Sequence, residues 1–344
     1  MKRLRINPPL ITTSPTIATL FSIITGNPST SNWIVNHFNN LLYIEGNTEN
    51  RCIFFEDQPS NRETIFADLN FFRYSKIKYD IVNIFSRNIT EFLEKCLDAN
   101  YYIRLTLDNY YLSLSQMFYQ KEHVYHPLLI FGYNAQHRVF EIGEFFDGKK
   151  YSFYQISYDQ IEAAYNYKYY SISETEEYLE NIILLKLEKN YISESINISK
   201  IVTEIQDYLL SADSSSKYKN RIRKKDSAYS YGLNCYTKFI QSLNNSYYDF
   251  RSAHVFCDRM HLHIYKLDIL FQNQLLDYHI YQSLKKEALY LETLSLQNRN
   301  LFLKYIIKYN NCIPPNILSK LANNYSDLQK AETVFLFKLL NTLT

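Results

Sequence analysis

The chain has 344 residues, 46% of them apolar, and carries 37 basic against 35 acidic side chains. That is enough apolar material for a sizeable core, in two domains or one elaborated domain, and the charge balance argues against disorder, a nucleic-acid partner or an anionic membrane surface. Glycine is scarce, at 6 residues, and neither GxGxxG nor GxxxxGK[ST] occurs, so the two common glycine-rich phosphate loops are excluded.

Ser14-Pro15 ahead of residues 16–24 reads as a helix start, with Ser14 as N-cap and Pro15 in the first helical position, where a missing N–H costs nothing. Gly26-Asn27-Pro28 ends that helix. Residues 33–43 are amphipathic, residues 52–55 and 81–85 read as short strands, and Thr90 is placed to cap a helix over 91–98. Residues 101–107 alternate and are rich in β-formers, which predicts a strand. Residues 127–133 and 137–143 flank the turn-prone Asn134-Ala135-Gln136, the signature of a β-hairpin, and 151–156 adds a third strand before a helix running to 165. From about residue 173 the apolar residues fall at helical spacing over 174–189, 193–211, 231–244, 253–271 and beyond 282. The polar, basic stretch 211–225 suits a solvated interhelical loop or a docking patch for an acidic partner. Pro314-Pro315 breaks the final helical region, and there is no internal repeat. The fold class expected is α+β: residues 1–170 as one domain with an antiparallel sheet, and 171–344 as a helical domain or elaboration.

The five cysteines, Cys52, Cys96, Cys235, Cys257 and Cys312, are odd in number, widely spaced and form no CxxC. They read as reduced core thiols, not as a disulfide framework or a zinc site. The basic start lacks the apolar stretch of a signal peptide, and no run of about 18 apolar residues occurs. The expectation is a soluble, cytoplasmic protein.

One constellation could carry chemistry. With the hairpin turn centred on Ala135, His126 and Glu144 are opposed across the strands, and opposed residues have Cβ atoms about 4.5–5.5 Å apart. A carboxylate there fixes the imidazole tautomer and stabilises its cation. Ser14, at a helix N-terminus, sits where free N–H groups and the helix dipole favour a developing oxyanion. Each residue also has a plainer reading: Ser14 as a helix cap, His126 as a structural histidine, Glu144 as a solvated edge carboxylate near Glu141 and Asp147. Spacing does not show that Ser14 meets His126.

The segment His126-Pro-Leu-Leu-Ile-Phe-Gly-Tyr-Asn134, followed by Val139-Phe-Glu-Ile-Gly-Glu144, resembles a family pattern: histidine, apolar strand, Gly-Tyr-Asp, then a strand ending in Asp. That pattern belongs to the butirosin-biosynthesis-protein-H-like acyltransferases of peptide natural-product assembly. Leu107-Asp-Asn-Tyr-Tyr-Leu112, Tyr119-Gln-Lys-Glu-His123 and Asp249-Phe-Arg251 fit the same family. The resemblance covers about residues 7–165 well and the helical half loosely. It implies a papain-like fold, related to bacteriocin-processing peptidases and transglutaminases. The implied activity moves an acyl group from the phosphopantetheine thioester of an acyl or peptidyl carrier protein to a small amine, as in the amide-forming enzyme of closthioamide assembly. No metal or further cofactor, nucleic acid or membrane is implied.

Carried over, His126 matches the family base and Glu144 the orienting acid, with Glu in place of Asp, and Asn7 falls near the oxyanion hole. Ser14 occupies the position of the nucleophilic cysteine. Three explanations stand side by side: an engineered Cys→Ser change that traps substrate, a natural serine forming an oxyester, or a degenerate site in a protein that only binds its carrier or product. A cysteine-peptidase-like hydrolase would share the same triad.

Overall fold

The computed structural model describes residues 1–45, 52–55, 64–86, 88–148, 150–169, 181–214, 228–246 and 248–344. The elements of the first hundred residues are β1 (Lys2–Arg3), α1 (Pro15–Ile24), α2 (Pro28–Asn36), β2 (Leu41–Glu45), β3 (Cys52–Phe55), α3 (Thr64–Ala67), β4 (Phe72–Lys78), α4 (Tyr79–Phe85) and α5 (Ile89–Asp98). Next come β5 (Tyr102–Asp108), β6 (Tyr125–Asn134), β7 (Val139–Glu144), β8 (Ser152–Ser157), α6 (Tyr158–Tyr169) and β9 (Asn181–Leu187). The remainder is α7 (Ile198–Leu210), β10 (Ala228–Tyr231), α8 (Asn234–Asn244), α9 (Arg251–Gln272), α10 (Tyr278–Lys308) and α11 (Pro315–Leu343).

The chain divides into two units, Met1–Asn27 with Arg62–Ile192, and Pro28–Asn61 with Ser193–Thr344. The first is built on an antiparallel sheet in the order β4-β9-β5-β6-β7-β8. β1 adds to the same edge of β6 that β5 occupies, but further along, with Arg3 opposite Gly132 where β5 reaches only Ile130. Every residue of β5 is buried, so both faces of this central strand are covered, with Ile103, Leu105 and Leu107 on one face and the polar Arg104, Thr106 and Asp108 on the other. Helices α5 and α6 pack on β5, and α1 packs on β6. The second unit is largely helical but carries a small antiparallel sheet, β10-β2-β3.

The molecule is therefore α+β with an antiparallel sheet and a helical C-terminal part, as the sequence predicts, but several expectations need correcting. The division does not fall at residue 170: Pro28–Asn61 belongs with the second unit and the stretch up to Ile192 with the first. The helix expected over 174–189 is contradicted by β9, whose Asn-Ile-Ile-Leu-Leu-Lys-Leu forms a sheet strand between β4 and β5; residues 170–180 lie outside the described residues. The strand expected at 81–85 is the helix α4. The amphipathic stretch 33–43 splits into the end of α2 and the start of β2. The cap of α5 is Asn88, whose side-chain oxygen accepts from Glu91 N at 2.9 Å, while the Thr90 hydroxyl bonds Asn88 and Glu162 instead. Most of the predicted loop 211–225 lies outside the described residues. Among the described residues, no helix is long and apolar enough to cross a membrane.

Candidate active site

The hairpin β6–β7 positions the histidine. Its rungs run Asn134–Val139, Tyr133–Phe140 and Gly132–Glu141, then resume as Ile130–Ile142 and Leu129–Gly143 after one extra residue, Phe131. The next rung sets Glu144 beside Leu128, with His126 two residues further along the same face. His126 and Glu144 are thus diagonal neighbours, not the direct partners that a turn centred on Ala135 predicts, and a diagonal is within reach of long side chains. The bulge decides the pairing. Were Phe131 paired with Ile142 in an unbulged ladder, Glu144 would stand against Leu129 and His126 would leave on the other face.

The diagonal closes to 2.7 Å between His126 Nδ1 and Glu144 Oε1, with the glutamate 2% exposed and the imidazole 34%. The same carboxylate oxygen accepts from Phe145 N at 2.6 Å. A buried carboxylate is costly unless paired and hydrogen-bonded, and here both conditions are met. With Nδ1 turned to the carboxylate, the neutral ring keeps its lone pair on Nε2, as a general base requires. The edge-carboxylate reading is overturned: Glu144 is buried, Glu141 is nearly so and pairs with Arg3 at 3.1 Å, and Asp147 accepts from Ser115 Oγ, Gln116 N and Met117 N.

Ser14 heads α1 in extended conformation (φ −146°, ψ 139°), with Pro15 at the first helical position. Its carbonyl accepts the first helical bond, from Ala18 N at 2.8 Å, but its hydroxyl caps nothing. The side chain is 8% exposed and its Oγ is not committed to the helix. The α1 first turn holds no acidic residue, so the positive end of the helix dipole is not offset there. Arg104 of β5, itself buried, donates to Thr16 Oγ1 at 3.2 Å. Further along, Thr19 and Ser22 of α1 face the buried Tyr151 hydroxyl without a well-formed hydrogen bond to it. That hydroxyl fills a notch over Gly143, where a Cβ would lie 2.3 Å from it. Burial, with Glu144 nearby, pushes the Tyr151 phenol up.

The structure thus joins His126 to Glu144 and places Ser14 at the head of a helix packed on the histidine's strand, with the first turn of that helix bonded to Arg104 on the face opposite His126. It records no hydrogen bond between Ser14 and His126. Asn7 is not near the head of α1: its side chain donates to Thr25 O at 2.6 Å and its N–H to Ser22 O, at the other end of the helix. Nor do the buried cysteines offer a nucleophile, while Cys312, expected as a core thiol, is exposed. Cys52, Cys96, Cys235 and Cys257 are buried, and burial pushes Cys52 and Cys96 up to about 12 and Cys257 up to about 11, the opposite of thiolate activation.

Sequence reasoning missed a second pair. Asp108, the last residue of β5 and 0% exposed, lies 2.6 Å through Oδ2 from His123 Nδ1. Its Oδ1 accepts from Tyr110 N at 3.0 Å, and the His123 ring stacks on Tyr110 with centroids 4.3 Å apart. The signal was present in Leu107-Asp-Asn-Tyr-Tyr and Glu122-His123, but only the ladder shows that Asp108 stands opposite Tyr125, two residues from His123. Among the described residues no group of three or more His, Cys, Asp or Glu could hold a metal ion. No protein-family profile matches the chain, and no curated protein matches it either.

Proposed function

We propose that this protein is an acyltransferase of papain-like architecture, which takes an acyl group from a carrier-protein thioester and passes it to an amine. The observation that carries the reading is the His126–Glu144 pair, a half-exposed imidazole with Nδ1 held by a buried carboxylate. A helix headed by an uncommitted hydroxyl packs on the same strand, with its first turn bonded to Arg104 on the face opposite His126, so the reading requires the imidazole to reach Ser14 around the strand end. Ser14 Oγ attacks the thioester carbonyl while His126 takes its proton and delivers it to the departing thiol. The amine then attacks the oxyester, and a proton returns through the imidazole to Ser14. Water in place of the amine would make the same site a hydrolase.

Incubating the chain and its Ser14→Cys variant with acyl-loaded carrier protein and a primary amine should leave an acyl adduct on residue 14, visible by intact mass. His126→Ala should slow its formation by about 10²-fold or more. An adduct that His126→Ala leaves untouched would remove the proposed base. A second reading, a carrier- or product-binding protein without turnover, is favoured by the lack of a hydrogen bond between Ser14 and His126. Its signature is carrier binding with no adduct in either form.

A further inference from the structure

We infer that the second, largely helical unit binds a monovalent anion of chloride size beside Arg259 and His263, and takes it up together with one proton. The inference stands apart from the acyl-transfer reading. The site is a cavity of about 20 Å³ bounded by α2, α7, α9, α11 and the segment after α2. That volume has room for one water molecule or one halide-sized ion, and excludes an organic ligand. Its walls are aliphatic, Ile201 and Leu339 among them, except along α9. There Arg259, His263 and Lys266 fall at helical spacing and share one face.

The two residues that would hold the ion are not used up by the protein. Arg259 donates through Nε to Glu332 at 2.5 Å and through Nη1 to Asn39 O at 2.6 Å, which commits two of its five N–H bonds. His263 turns Nε2 to Glu332 at 3.0 Å, and among the described residues its Nδ1 has no hydrogen-bond partner. Its side chain is nine-tenths buried, and it lines the cavity.

Charged groups reach this point from three elements. α9 brings Arg259 and Lys266, α11 brings Glu332, and α7 brings Glu204, which bonds Asn39 Nδ2 at 2.6 Å and lies 3.7 Å from Lys200. Lys266 donates to His37 O at 2.6 Å and to Asn39 Oδ1 at 2.5 Å, so its contribution is charge. The hydroxyls of Tyr208 and Tyr236 complete the shell of Glu332 and are neutral. Burial first, then Arg259 and Lys266, lower His263 to about 4 against the pull of Glu332. The neutral ring then gives its proton to Glu332 and keeps a lone pair on Nδ1, which repels an anion. An anion therefore enters with a proton. The proton passes from solvent to Nδ1, the new N–H donates to the anion, and the two together add no net charge to the interior. A buried charge is tolerated when it is paired and hydrogen-bonded, and here each ion supplies the other's partner. The bound anion offsets Arg259 and Lys266, so it raises the His263 pKa, and protonation of His263 tightens the anion by the same factor.

The test compares the full chain in sodium bromide and in sodium gluconate at equal ionic strength, gluconate being too large for the cavity. The His263 Cε1–H resonance should titrate near pH 4 in gluconate and about one pH unit higher, or more, in bromide. The urea midpoint should be higher in bromide than in gluconate at pH 5 and the same in both at pH 8. Apparent bromide affinity should fall about tenfold per pH unit across that range. His263→Gln keeps a donor for Glu332 but does not titrate, and should erase the difference at pH 5. If that variant does not fold, the titration of the parent chain decides. Anomalous diffraction from crystals grown in bromide at pH 5 should place the ion beside Arg259 and His263. Identical His263 titrations in the two salts, a bromide effect that survives His263→Gln, or water alone at that position would each overturn the inference.

Discussion

Both units place a histidine nitrogen within about 3 Å of a buried glutamate, and the two contacts do opposite things. In the first, Glu144 serves His126 and one backbone N–H, and the ring faces outward. In the second, Glu332 on α11 is fully buried and takes four donors: Arg259 Nε at 2.5 Å, His263 Nε2 at 3.0 Å, and the hydroxyls of Tyr208 and Tyr236. Burial pulls the Glu332 carboxyl up, but Arg259 and His263 pull it down further, to about 2. His263 is only 10% exposed, and burial lowers it to about 4 against the pull of Glu332. A histidine–carboxylate distance therefore does not identify a base. What separates the two is whether the carboxylate already answers to a buried cation, and whether the ring reaches the surface.

The same substitution in each unit should break the comparison cleanly. Glu332→Gln leaves the Arg259 guanidinium buried without its counter-charge and should cost about 3–5 kcal/mol of stability, read from urea denaturation. Glu144→Gln should cost under about 1 kcal/mol of stability, yet lower acyl-enzyme formation by about 10²–10⁴-fold by disturbing the His126 tautomer. If the two variants lose stability equally, Glu144 is structural and the distinction collapses.

Smaller effects sharpen it. Gly143→Ala drives a methyl group into the Tyr151 hydroxyl, 2.3 Å from its Cβ, and should destabilise the chain by about 1–3 kcal/mol in the same titration. Acid should act on the second unit through His263 and through His254, which burial and then Arg299 lower to about 4. Both folded values lie below the unfolded 6.5, so the unfolded chain binds more protons between pH 6.5 and 4. Stability is full above that window and falls as pH drops through it, by at most about 1.4 kcal/mol per pH unit for each ring. Denaturant midpoints between pH 7 and 4 check this, and His263→Phe should flatten the slope.

The sequence carried the hairpin and the dyad because alternation, a turn-prone trio and a histidine before a proline are local signals. It misread β9 because Ile-Ile-Leu-Leu is the same string whether it fills a strand covered on both faces or a helix core, and the acidic residues before it favour a helix. It misread α4 because a run as short as Ile81–Phe85 has too few residues to show a period, and Ile84 and Phe85 are in fact exposed. The four-way cluster on Glu332 was illegible, since its members lie up to 124 positions apart and only tertiary packing brings them together. Asp108 was missed for a related reason: its meaning depends on which strand lies beside β5.

The short run of strand between the bulge at Phe131 and His126 is a genetic vulnerability of the hairpin. Loss of one codon there would leave every residue of the dyad intact, and a column-by-column comparison of descendants would still show histidine and glutamate in their places. The two would nonetheless point away from each other. For chains built this way, the length of a strand between its turn and its histidine is as heritable a functional trait as the histidine itself.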